Sequence, residues 1–599
     1  MKHKRKTAAE APVSQPRDKL MTRKQIINRY GLTVKLIKKH LPAPKYPNKT
    51  SPQTPYYWKS DLLAAMQTEA FQKDWKNVQQ QRERTQLEEQ KKKQKLIDAL
   101  FQYDLTTLIE NARELDRRFI LHCGPTNSGK TYQAIEALKR AKSGVYLGPL
   151  RLLALEVFDT LNLADVPCDL LTGEESIEIP FAKVTASTIE MLNTNERYDV
   201  AVIDEAQLIA DSDRGGAWTR AVLGVNAKEV HLCFSPDALP FYENLLSDCQ
   251  TEYEVVMHER LTPLVYAGST SLQKVSDGDC FVCFSRKMVL NVAAVLERKY
   301  HVAASVIYGA LPPAARREEV RKFESGETTV VVATDAIGMG VSLPIKRVIF
   351  CETEKFDGTS RRPLTANEVR QIAGRAGRYG KFDQGEVLVI GHNPLVKKLL
   401  NEPAKPIQKI VIPFPAEAAN STAPMDKLLA MWKSRSDTAY VKYEDISDAQ
   451  FLYKELGQLT AKMTQQQIYT CIRCPVDIRN LPLVHYWRRC CIAYIEGRRL
   501  PHPDAGMETL EDCELQYKEY DVLHQMLRRC GEERDTSAKR EALCKRINEF
   551  LQNKKNTYVN RCRHCRRELP YDYRFGLCED CFHKLQWGGL PYNDRDFWD

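Results

Sequence analysis

Short apolar runs alternate with helical stretches in the middle of the chain, and this alternation occurs twice. The first series starts at RFILHC (118–123), and the second runs from DCFVCF (279–284) to GEVLVI (385–390). Apolar strands separated by amphipathic helices predict a parallel sheet with crossover helices. We therefore predict an α/β fold with two tandem parallel-sheet domains, at 116–262 and 263–401, and a cleft between them.

The segments on either side have other patterns. Residues 1–19 are polar and aperiodic, which is typical of a disordered arm. Residues 20–66 predict two short helices around a glycine, an extended piece and a third helix, the outline of a helix-turn-helix or small winged-helix module. Residues 67–115 lack Gly and Pro and predict a long basic helix or linker. Residues 402–555 predict a helical accessory domain, and residues 556–599 form a separate short module.

The composition is that of a multidomain intracellular protein. The chain has 599 residues, no run of about 18 apolar residues and no apolar core of a secretory signal near its start. Most of its 18 cysteines stand singly in apolar segments, as reduced thiols do. We therefore expect a soluble cytoplasmic protein of the bacterial type that does not enter a membrane.

The positive charge lies at the N-terminal end. The net charge is +10, but residues 1–100 contain 23 Lys and Arg against 9 Asp and Glu, so they carry +14 and the other residues carry −4. Attraction to a polyanion such as nucleic acid is therefore expected at this end. A solvated basic helix without a ligand is the alternative.

One loop has the pattern of a phosphate-binding site. After the strand RFILHC the chain reads G-x4-G-K-T and then enters a helix, the context in which backbone N–H groups bind phosphates. Lys130 would contact the β- and γ-phosphates of ATP, and the Thr131 hydroxyl would be a ligand of Mg²⁺. The predicted nucleotide contacts are Gly124, Pro125, Thr126, Asn127, Ser128, Gly129, Lys130 and Thr131.

Two acidic residues follow a later strand of the first series. Asp204 and Glu205 come directly after VAVI (200–203), so we expect them at the carboxyl edge of the sheet, where ligands of open α/β folds bind. Asp204 would hold Mg²⁺ through water, Glu205 would orient and deprotonate the attacking water, and Gln207 would sense the γ-phosphate. A solvated acidic turn is the alternative for two such residues taken alone.

The second series contains a pair of arginines. In QIAGRAGR (371–378), Arg375 and Arg378 are three residues apart and can point the same way. Positive groups of this kind stabilise the charge on a phosphoryl group during transfer. A surface arginine pair is the alternative, but the adjacent glycines indicate a close backbone approach.

Further residues are candidates for ligand contacts at strand ends and helix starts. ATDAIGMG (333–340) ends a strand of the second series with a glycine turn, in which Gly338 and Gly340 are predicted nucleotide contacts. The predicted contacts to a nucleic-acid backbone are Arg151, Thr188, Ser285, Arg286 and Thr334.

Six segments together resemble the helicase of the mitochondrial RNA degradosome and its bacterial relatives, a superfamily-two DExH family. They are GPTNSGKTY, GPLRLLALE, VIDEAQ, VIYGALPP, VVATDAIGMGVSLPIKRVIF and RPLTANEVRQIAGRAGRYG. The resemblance implies RecA-like domains, ATP hydrolysis and unwinding of RNA duplexes, often also of DNA, in the 3′ to 5′ direction. A nuclease or another protein is a further partner to consider. By the resemblance, catalytic roles fall to Lys130, Thr131, Asp204, Glu205, Gln371, Arg375 and Arg378.

The chain also departs from that family. The resemblance covers residues 116–396 and, more faintly, the helical region to 552, so neither the basic N-terminal module nor the cysteine tail belongs to the family core. Between Glu352 and Asn367 there is no room for a long strand-separating hairpin. Substrate choice can therefore differ from that of the family.

The tail has the cysteine spacing of a zinc ribbon. Cys562, Cys565, Cys578 and Cys581 form two C-x2-C pairs separated by 12 residues, a spacing that suits tetrahedral Zn²⁺. Disulfides are the alternative, and the module would contact nucleic acid or a protein partner. The other C-x2-C pairs, at 280–283 and 471–474, are predicted to be structural thiols.

These observations favour an ATP- and Mg²⁺-dependent nucleic-acid helicase with a preference for RNA, in which ATP closes the cleft between the two α/β domains. A DNA-directed helicase or translocase of genome maintenance or defence is a second hypothesis. An ATP-switched nucleic-acid-binding adaptor without strand displacement is a third.

Overall fold

The computed structural model describes most of the chain in two compact units, Met1–Asp98 and Ala99–Asp599. The described residues are 20–45, 55–101, 104–173, 175–338, 343–356, 360–391, 393–421, 423–504, 506–532 and 534–557, together with Arg567, Cys578 and Asp580.

The N-terminal unit contains a small helical module and one long helix. Its elements are β1 (Leu20–Thr22), α1 (Arg23–Tyr30), α2 (Val34–His40), β2 (Tyr56–Trp58), α3 (Lys59–Met66) and α4 (Glu69–Phe101). Thr22 and Thr33 accept backbone hydrogen bonds at the starts of α1 and α2. Gly31 ends α1 with φ of 69°, a left-handed conformation that glycine adopts without strain. Strands β1 and β2 pair antiparallel.

The module has its own apolar core. The side chains of Ile26, Leu32, Ile37 and Leu62 are fully buried, and Phe71 from the first turn of α4 is 1% exposed. Packing of the module therefore continues past residue 66 into the long helix.

The first α/β domain is built around an eight-stranded sheet. Its strands are β3 (Arg118–Cys123), β4 (Gly144–Gly148), β5 (Cys168–Leu171), β6 (Ser176–Ile177), β7 (Val184–Thr188), β8 (Arg197–Ile203), β9 (Asn226–Phe234) and β10 (Glu252–Met257). Its helices are α5 (Leu105–Arg113), α6 (Lys130–Arg140), α7 (Arg151–Leu163), α8 (Gly215–Gly224) and α9 (Leu239–Asp248). The order is β10-β3-β9-β8-β4-β7-β5-β6, and all pairs are parallel except β5 with β6. The carboxyl ends of β3 and β8 therefore lie at the same edge, on either side of β9.

The second α/β domain has a six-stranded, wholly parallel sheet in the order β11-β18-β15-β12-β14-β13. Its strands are β11 (Leu264–Thr270), β12 (Asp279–Val282), β13 (Ala304–Ile307), β14 (Val330–Ala333), β15 (Arg347–Phe350) and β18 (Gly385–Ile390). Between them, β16 (Glu354–Phe356) and β17 (Arg361–Pro363) form a short antiparallel pair. The helices are α10 (Arg286–Tyr300), α11 (Pro313–Glu324), α12 (Ala366–Ala373) and α13 (Leu395–Asn401). The predicted α/β class with two parallel-sheet domains is confirmed.

The remaining described segment is mainly helical. It contains β19 (Ile410–Ile412), α14 (Met425–Lys433), β20 (Val441–Tyr443), α15 (Ser447–Leu456), α16 (Gln465–Ile472), α17 (Leu481–Ile495), α18 (Leu510–Cys530) and α19 (Ser537–Thr557). No helix in the described ranges is both long and apolar enough to cross a membrane.

The two C-x2-C pairs outside the tail lie in these cores. Cys280 and Cys283 are fully buried in the second sheet, and Cys471 and Cys474 are buried at the end of α16. Burial raises the pKa of Cys474 to about 12, so its thiol stays protonated at neutral pH. This agrees with the prediction of structural thiols.

Candidate phosphate-binding site

The predicted phosphate loop lies between the end of β3 and the start of α6. Asn127 and Gly129 have φ of 63° and 79°, in the left-handed region. A Cβ at Gly124 would lie 2.7 Å from the His258 backbone oxygen, so only glycine fits there. The loop ends at the N-terminus of α6, where unpaired N–H groups and the helix dipole attract anions.

Lys130 and Thr131 are the first two residues of α6. Lys130 bonds back to the loop, and Thr131 bonds to the residue that follows β8. Lys130 is 8% exposed, and its Nζ donates a hydrogen bond to the Pro125 carbonyl at 3.2 Å. The Thr131 hydroxyl donates to Asp204 Oδ1 at 3.1 Å, which joins the loop to the end of β8. A hydroxyl beside a carboxylate is the kind of oxygen donor set that Mg²⁺ prefers, so these residues fit the ion.

Asp204 is a buried carboxylate with several donors around it. Its two oxygens accept hydrogen bonds from the Thr131 hydroxyl, the Tyr146 hydroxyl at 3.0 Å and the Glu205 backbone N–H at 2.9 Å. Its backbone carbonyl accepts from the indole N–H of Trp218 at 3.1 Å. Burial and the neighbouring charge of Glu205 raise the pKa of Asp204, while Lys130 opposes the rise. A bound cation would favour the ionised carboxylate.

Glu205 lies in a sharp turn after β8 and is half-buried. Its φ of 48° is in the left-handed region, which is uncommon for a residue with a side chain. The Gln207 side-chain amide donates to Glu205 Oε2, and the Gln207 oxygen accepts from the Ser235 backbone N–H at 3.2 Å. Gln207 thus ties Glu205 to the end of β9.

The two predicted arginines follow α12 of the second domain and have different surroundings. The Arg375 guanidinium donates to the Gly338 carbonyl at 2.6 and 3.0 Å. Burial lowers the pKa of Arg375, and the carboxylates of Glu205, Glu156 and Asp204 oppose this, so the arginine lies in the field of the first domain's acidic groups. The Arg378 side chain is 38% exposed, and its nearest guanidinium nitrogen is 3.7 Å from Glu324.

The phosphate loop (124–131) and the arginine segment (371–378) are in direct contact. The Asn127 side-chain amide donates to the Gly377 carbonyl at 2.7 Å. A Cβ at Gly374 would lie 2.8 Å from the Thr126 Cβ, so the two backbones approach as closely as glycine allows. The close approach that the glycines indicate is therefore present, and it occurs at the phosphate loop of the other domain.

Arg260 lies in the linker between the two domains, and no sequence pattern marks it. Its guanidinium donates to the Thr126 carbonyl at 2.9 Å, the Gly374 carbonyl at 3.0 Å and the Ala376 carbonyl at 2.5 Å, and its Nε donates to the Thr262 carbonyl at 2.7 Å. Burial lowers its pKa to about 10, which still leaves it charged at neutral pH. One side chain thus holds the phosphate loop and the arginine segment together.

A chain of histidines beside the loop was also missed. His122 on β3 lies 3.0 Å from His258 and 2.8 Å from His231, measured between ring nitrogens, and His231 is 2.8 Å from Glu229. Burial and the two neighbouring histidines lower the pKa of His122 to about 3. His122 and His231 lie on different strands and His258 directly follows a third, with no characteristic spacing along the chain, so only the fold brings them together.

The other predicted contacts lie at the ends of strands or the starts of helices. Gln371 is half-buried beside Gly338, and Gly340 lies outside the described residues. Thr188 and Thr334 are buried at the ends of β7 and β14. Ser285 accepts the Met288 backbone N–H at 3.1 Å and thereby caps α10. Their contacts to nucleic acid stay predictions.

The two predicted nucleic-acid arginines face α18. Arg286 pairs with Glu511 at 3.0 Å and with Glu514 at 3.4 Å. Burial lowers the pKa of Arg151, and the carboxylate of Asp521 opposes this, so Arg151 is also in the field of an acidic side chain of α18. Any contact of these arginines with phosphates would therefore compete with carboxylates of this helix.

The predicted zinc ligands fall almost entirely outside the described residues. Only Cys578 of the four is described, and it is buried, whereas Cys562, Cys565 and Cys581 are not described. Within the described residues no group of three or more His, Cys, Asp and Glu side chains is arranged to hold a metal ion. The zinc ribbon stays a prediction.

Comparison with known proteins gives two adjoining matches over the α/β domains. Residues 106–258 match the DEXQ-box helicase domain of Suv3, in agreement with Gln207 at the fourth position of the DEAQ segment, and residues 262–380 match the helicase conserved C-terminal domain. Neither match reaches the N-terminal module or the tail.

Similar whole proteins are described as mitochondrial RNA helicases. The chain is 40% identical over 408 residues to "ATP-dependent RNA helicase SUV3L, mitochondrial" of Oryza sativa subsp. japonica, covering 65% of this chain and 55% of that protein. It is 45% identical over 305 residues to "DExH-box ATP-dependent RNA helicase DExH16, mitochondrial" of Arabidopsis thaliana, covering 50% and 53%. It is 43% identical over 314 residues to "ATP-dependent RNA helicase SUPV3L1, mitochondrial" of Homo sapiens, covering 50% and 40%. The chain thus spans about half the length of these curated relatives.

Proposed function

We propose that the chain is an ATP-dependent RNA helicase of the Suv3 family of DExH-box helicases. One observation carries the proposal. Thr131 and Asp204 of the first domain are in hydrogen-bond contact, and Arg375 of the second domain lies in the field of Asp204 and Glu205. Such an arrangement would let one cleft hold the phosphates and the metal ion and stabilise the charge of the transferred group.

Each group has a role in hydrolysis of the terminal phosphate of ATP. Lys130 would exchange the Pro125 carbonyl for the β- and γ-phosphates, and Thr131 and Asp204 would hold Mg²⁺, which neutralises phosphate charge when bound. Glu205, fixed by Gln207, would accept the proton of the attacking water. Arg375, and Arg378 to a smaller extent, would stabilise the negative charge that builds up on the transferred phosphoryl group.

The contact between the two domains suggests how hydrolysis is coupled to movement. Arg260 and Asn127 bind backbone carbonyls of the arginine segment, so closure of the cleft depends on the shape of the phosphate loop. A change of that loop after hydrolysis would weaken these bonds and separate the domains, which is the motion that a two-domain translocase needs.

The finer properties are proposals that rest on the relatives. RNA as substrate follows from the names of the similar proteins, and 3′ to 5′ movement follows from the family resemblance. The same names place those proteins in mitochondria, whereas a cytoplasmic location of the bacterial type is our prediction from the sequence. A nuclease or other protein partner also stays a proposal.

The test is an ATPase and strand-displacement assay with the full chain. We expect RNA to stimulate ATP hydrolysis and a 3′-tailed RNA duplex to be separated faster than a 5′-tailed one, with both activities abolished in Lys130→Ala. Absence of stimulation by any nucleic acid would contradict the proposal. A preference for tailed DNA would favour the DNA-directed hypothesis, and stimulated hydrolysis without displacement would favour the adaptor.

Zinc in the tail is a separate part of the proposal. Four thiolates at this spacing would bind Zn²⁺ and stabilise a segment that has little aliphatic sequence. Elemental analysis of the purified full chain should find zinc, and the Cys562→Ser/Cys565→Ser variant should lose it. Full zinc content in that variant would contradict this assignment.

A further inference from the structure

We propose that the N-terminal unit is a duplex-DNA-binding module, in which helix α2 enters the major groove with Lys35 and Lys38 facing the DNA. The site lies outside residues 106–380, which the family models cover, so it goes beyond the helicase activity. It would give the chain a second nucleic-acid contact with a different preference from that of the helicase domains.

Helices α1 and α2 are joined by a short turn. Helix α1 ends at Tyr30, and α2 starts at Val34, so three residues form the turn. Gly31 makes the turn in a left-handed conformation, with its N–H bonded to the Ile27 carbonyl at 2.9 Å. Two short helices joined by three or four residues with a glycine are the helix-turn-helix arrangement, in which the second helix reads the major groove.

Two sides of α2 make contacts within the N-terminal unit itself. Leu36 and Ile37 are buried in the core of the module. At the C-terminal end of α2, Lys39 and His40 both bind Asp74 of α4, at 2.5 and 2.7 Å. The core and the long helix therefore occupy two sides of α2.

The outer face of α2 stays exposed. Val34 is 40% exposed, and the side chains of Lys35 and Lys38 are exposed next to it, in the first turn and one turn further. In the part of the chain that the structure describes, neither lysine has a carboxylate within ion-pair distance. The outer face of α2 therefore carries one apolar contact and two uncompensated positive charges near its N-terminal end, which is the end that reads bases in helix-turn-helix proteins.

Charge complementarity identifies the occupant of this face. Residues 20–66 contain nine Lys and Arg and a single acidic residue, Asp61. Besides the two lysines of α2, exposed basic side chains of the module include Lys24, Arg29 and Lys45. A surface of this sign binds the phosphate backbone, and a protein partner would have to be strongly acidic to match it.

The shape of α2 favours DNA over RNA duplexes. The major groove of B-form DNA is about 12 Å wide and admits an α-helix with its side chains, which is about 10 to 12 Å across. The major groove of A-form RNA is deep and too narrow for this. A basic helix of two turns with an exposed face therefore fits duplex DNA better than duplex RNA.

The test is a binding experiment with the full chain, without ATP, and blunt DNA and RNA duplexes of equal length. Fluorescence anisotropy of labelled duplexes measures the equilibrium binding. We expect tighter binding to DNA and a loss of affinity of about tenfold or more in Lys35→Gln/Lys38→Gln. The slope of log affinity against log salt should fall by about 2, since each phosphate contact contributes about 0.9.

Lys73→Gln/Lys76→Gln is the matched control. These lysines are exposed on α4 with the same spacing, so the variant loses the same charge in the same unit. Retained DNA affinity in the control supports the site on α2, whereas an equal loss in both variants shows diffuse electrostatic attraction and overturns the proposal. Equal or tighter binding to the RNA duplex also overturns it. Separation of tailed RNA by both variants at the wild-type rate would show that the result is independent of the helicase activity.

Discussion

The charged residues of the N-terminal module and those of the α/β domains are in opposite environments. Lys35 and Lys38 are exposed and have no acidic partner among the described residues. Lys130 is 8% exposed, Asp204 is 3% exposed, and both are held by hydrogen bonds to named groups. Exposed charges attract a polyanion roughly additively and are screened by salt, whereas a buried charge loses hydration and depends on a fixed geometry of partners. Substitutions in the two regions should therefore differ in size and in kind.

The largest effect is expected at the buried arginine of the cleft. Arg375→Ala removes the positive charge that faces Glu205 and Asp204, and we expect kcat for ATP hydrolysis to fall by about 10³-fold. KM for ATP should change much less, because the charge on the phosphoryl group is greatest in the transition state. Steady-state kinetics with saturating RNA measures both constants.

Arg378→Ala is the comparison for this variant. Its side chain is 38% exposed and its guanidinium lies 3.7 Å from Glu324, so its loss should be clearly smaller. If kcat falls equally in Arg375→Ala and Arg378→Ala, the burial of Arg375 does not give it a larger role in hydrolysis than Arg378.

A buried ion pair of the second domain allows the contrast between buried and exposed charges to be tested by the free energy of unfolding. Lys322 binds Glu319 at 2.8 Å, and the Glu319 side chain is fully buried and accepts the Val306 N–H at 2.7 Å. Lys322→Met removes this positive charge from beside the buried carboxylate, and we expect the free energy of unfolding to fall by about 3 kcal/mol. Removal of exposed charge in Lys35→Gln/Lys38→Gln should change it by less than about 0.5 kcal/mol.

The double variant Glu319→Gln/Lys322→Met separates the charge from the packing. The glutamine keeps an oxygen for the Val306 N–H and carries no charge, so the double variant should recover most of the lost stability. Denaturant unfolding that shows no recovery would assign the effect of Lys322→Met to packing.

Arg260 tests whether contact between the domains contributes to hydrolysis. Arg260→Gln removes bonds to the Thr126, Gly374 and Ala376 carbonyls, and we expect kcat to fall by about 10- to 100-fold because the arginine segment is no longer held at the loop. Arg260→Lys should recover little, since an ammonium lacks the planar set of donors. A wild-type kcat in Arg260→Gln, or a change in KM alone, would rule out this positioning role.

The same contrast explains what could be predicted from the sequence. The sequence marks Lys130, Thr131, Asp204 and Glu205 as candidates because the loop and the strand that carry them are local patterns with characteristic spacing. The loop and the acidic residues both follow parallel strands, and the carboxyl ends of parallel strands lie at the same edge of a sheet. The contact between Thr131 and Asp204 could therefore be expected.

Residues whose role depends on contacts far apart in the chain could not be predicted. Arg260 acts through carbonyls of the loop and of the arginine segment, and nothing in its neighbours along the chain marks it. In the N-terminal module the glycine turn was visible, but the outer face of α2 could be assigned only because Asp74 of α4 occupies the other side. A pattern thus predicts an element and its buried face, while the partners of its polar groups depend on tertiary packing.

The smallest expected effect concerns the buried histidines beside the phosphate loop. The pKa of His122 is about 3 in the folded protein and about 6.5 in an unfolded chain, so between these values the unfolded chain binds the extra proton. The contribution of neutral His122 to the free energy of unfolding is therefore fully present well above pH 6.5 and is lost as the pH falls. The loss is about 1.4 kcal/mol at pH 5.5 for this residue alone. The pKa values of His231 and His258 are also lowered by burial, and His258 additionally by Lys130, so they act in the same direction, while Glu229 opposes the shift at His231. His122→Gln should weaken the dependence of unfolding free energy on pH between 7.5 and 5.5, whatever its effect at neutral pH. If the pH dependence of the unfolding free energy is the same in His122→Gln as in the wild type, the buried histidines accept a proton in the folded protein. Burial of His122 would then not account for a loss of stability in acid.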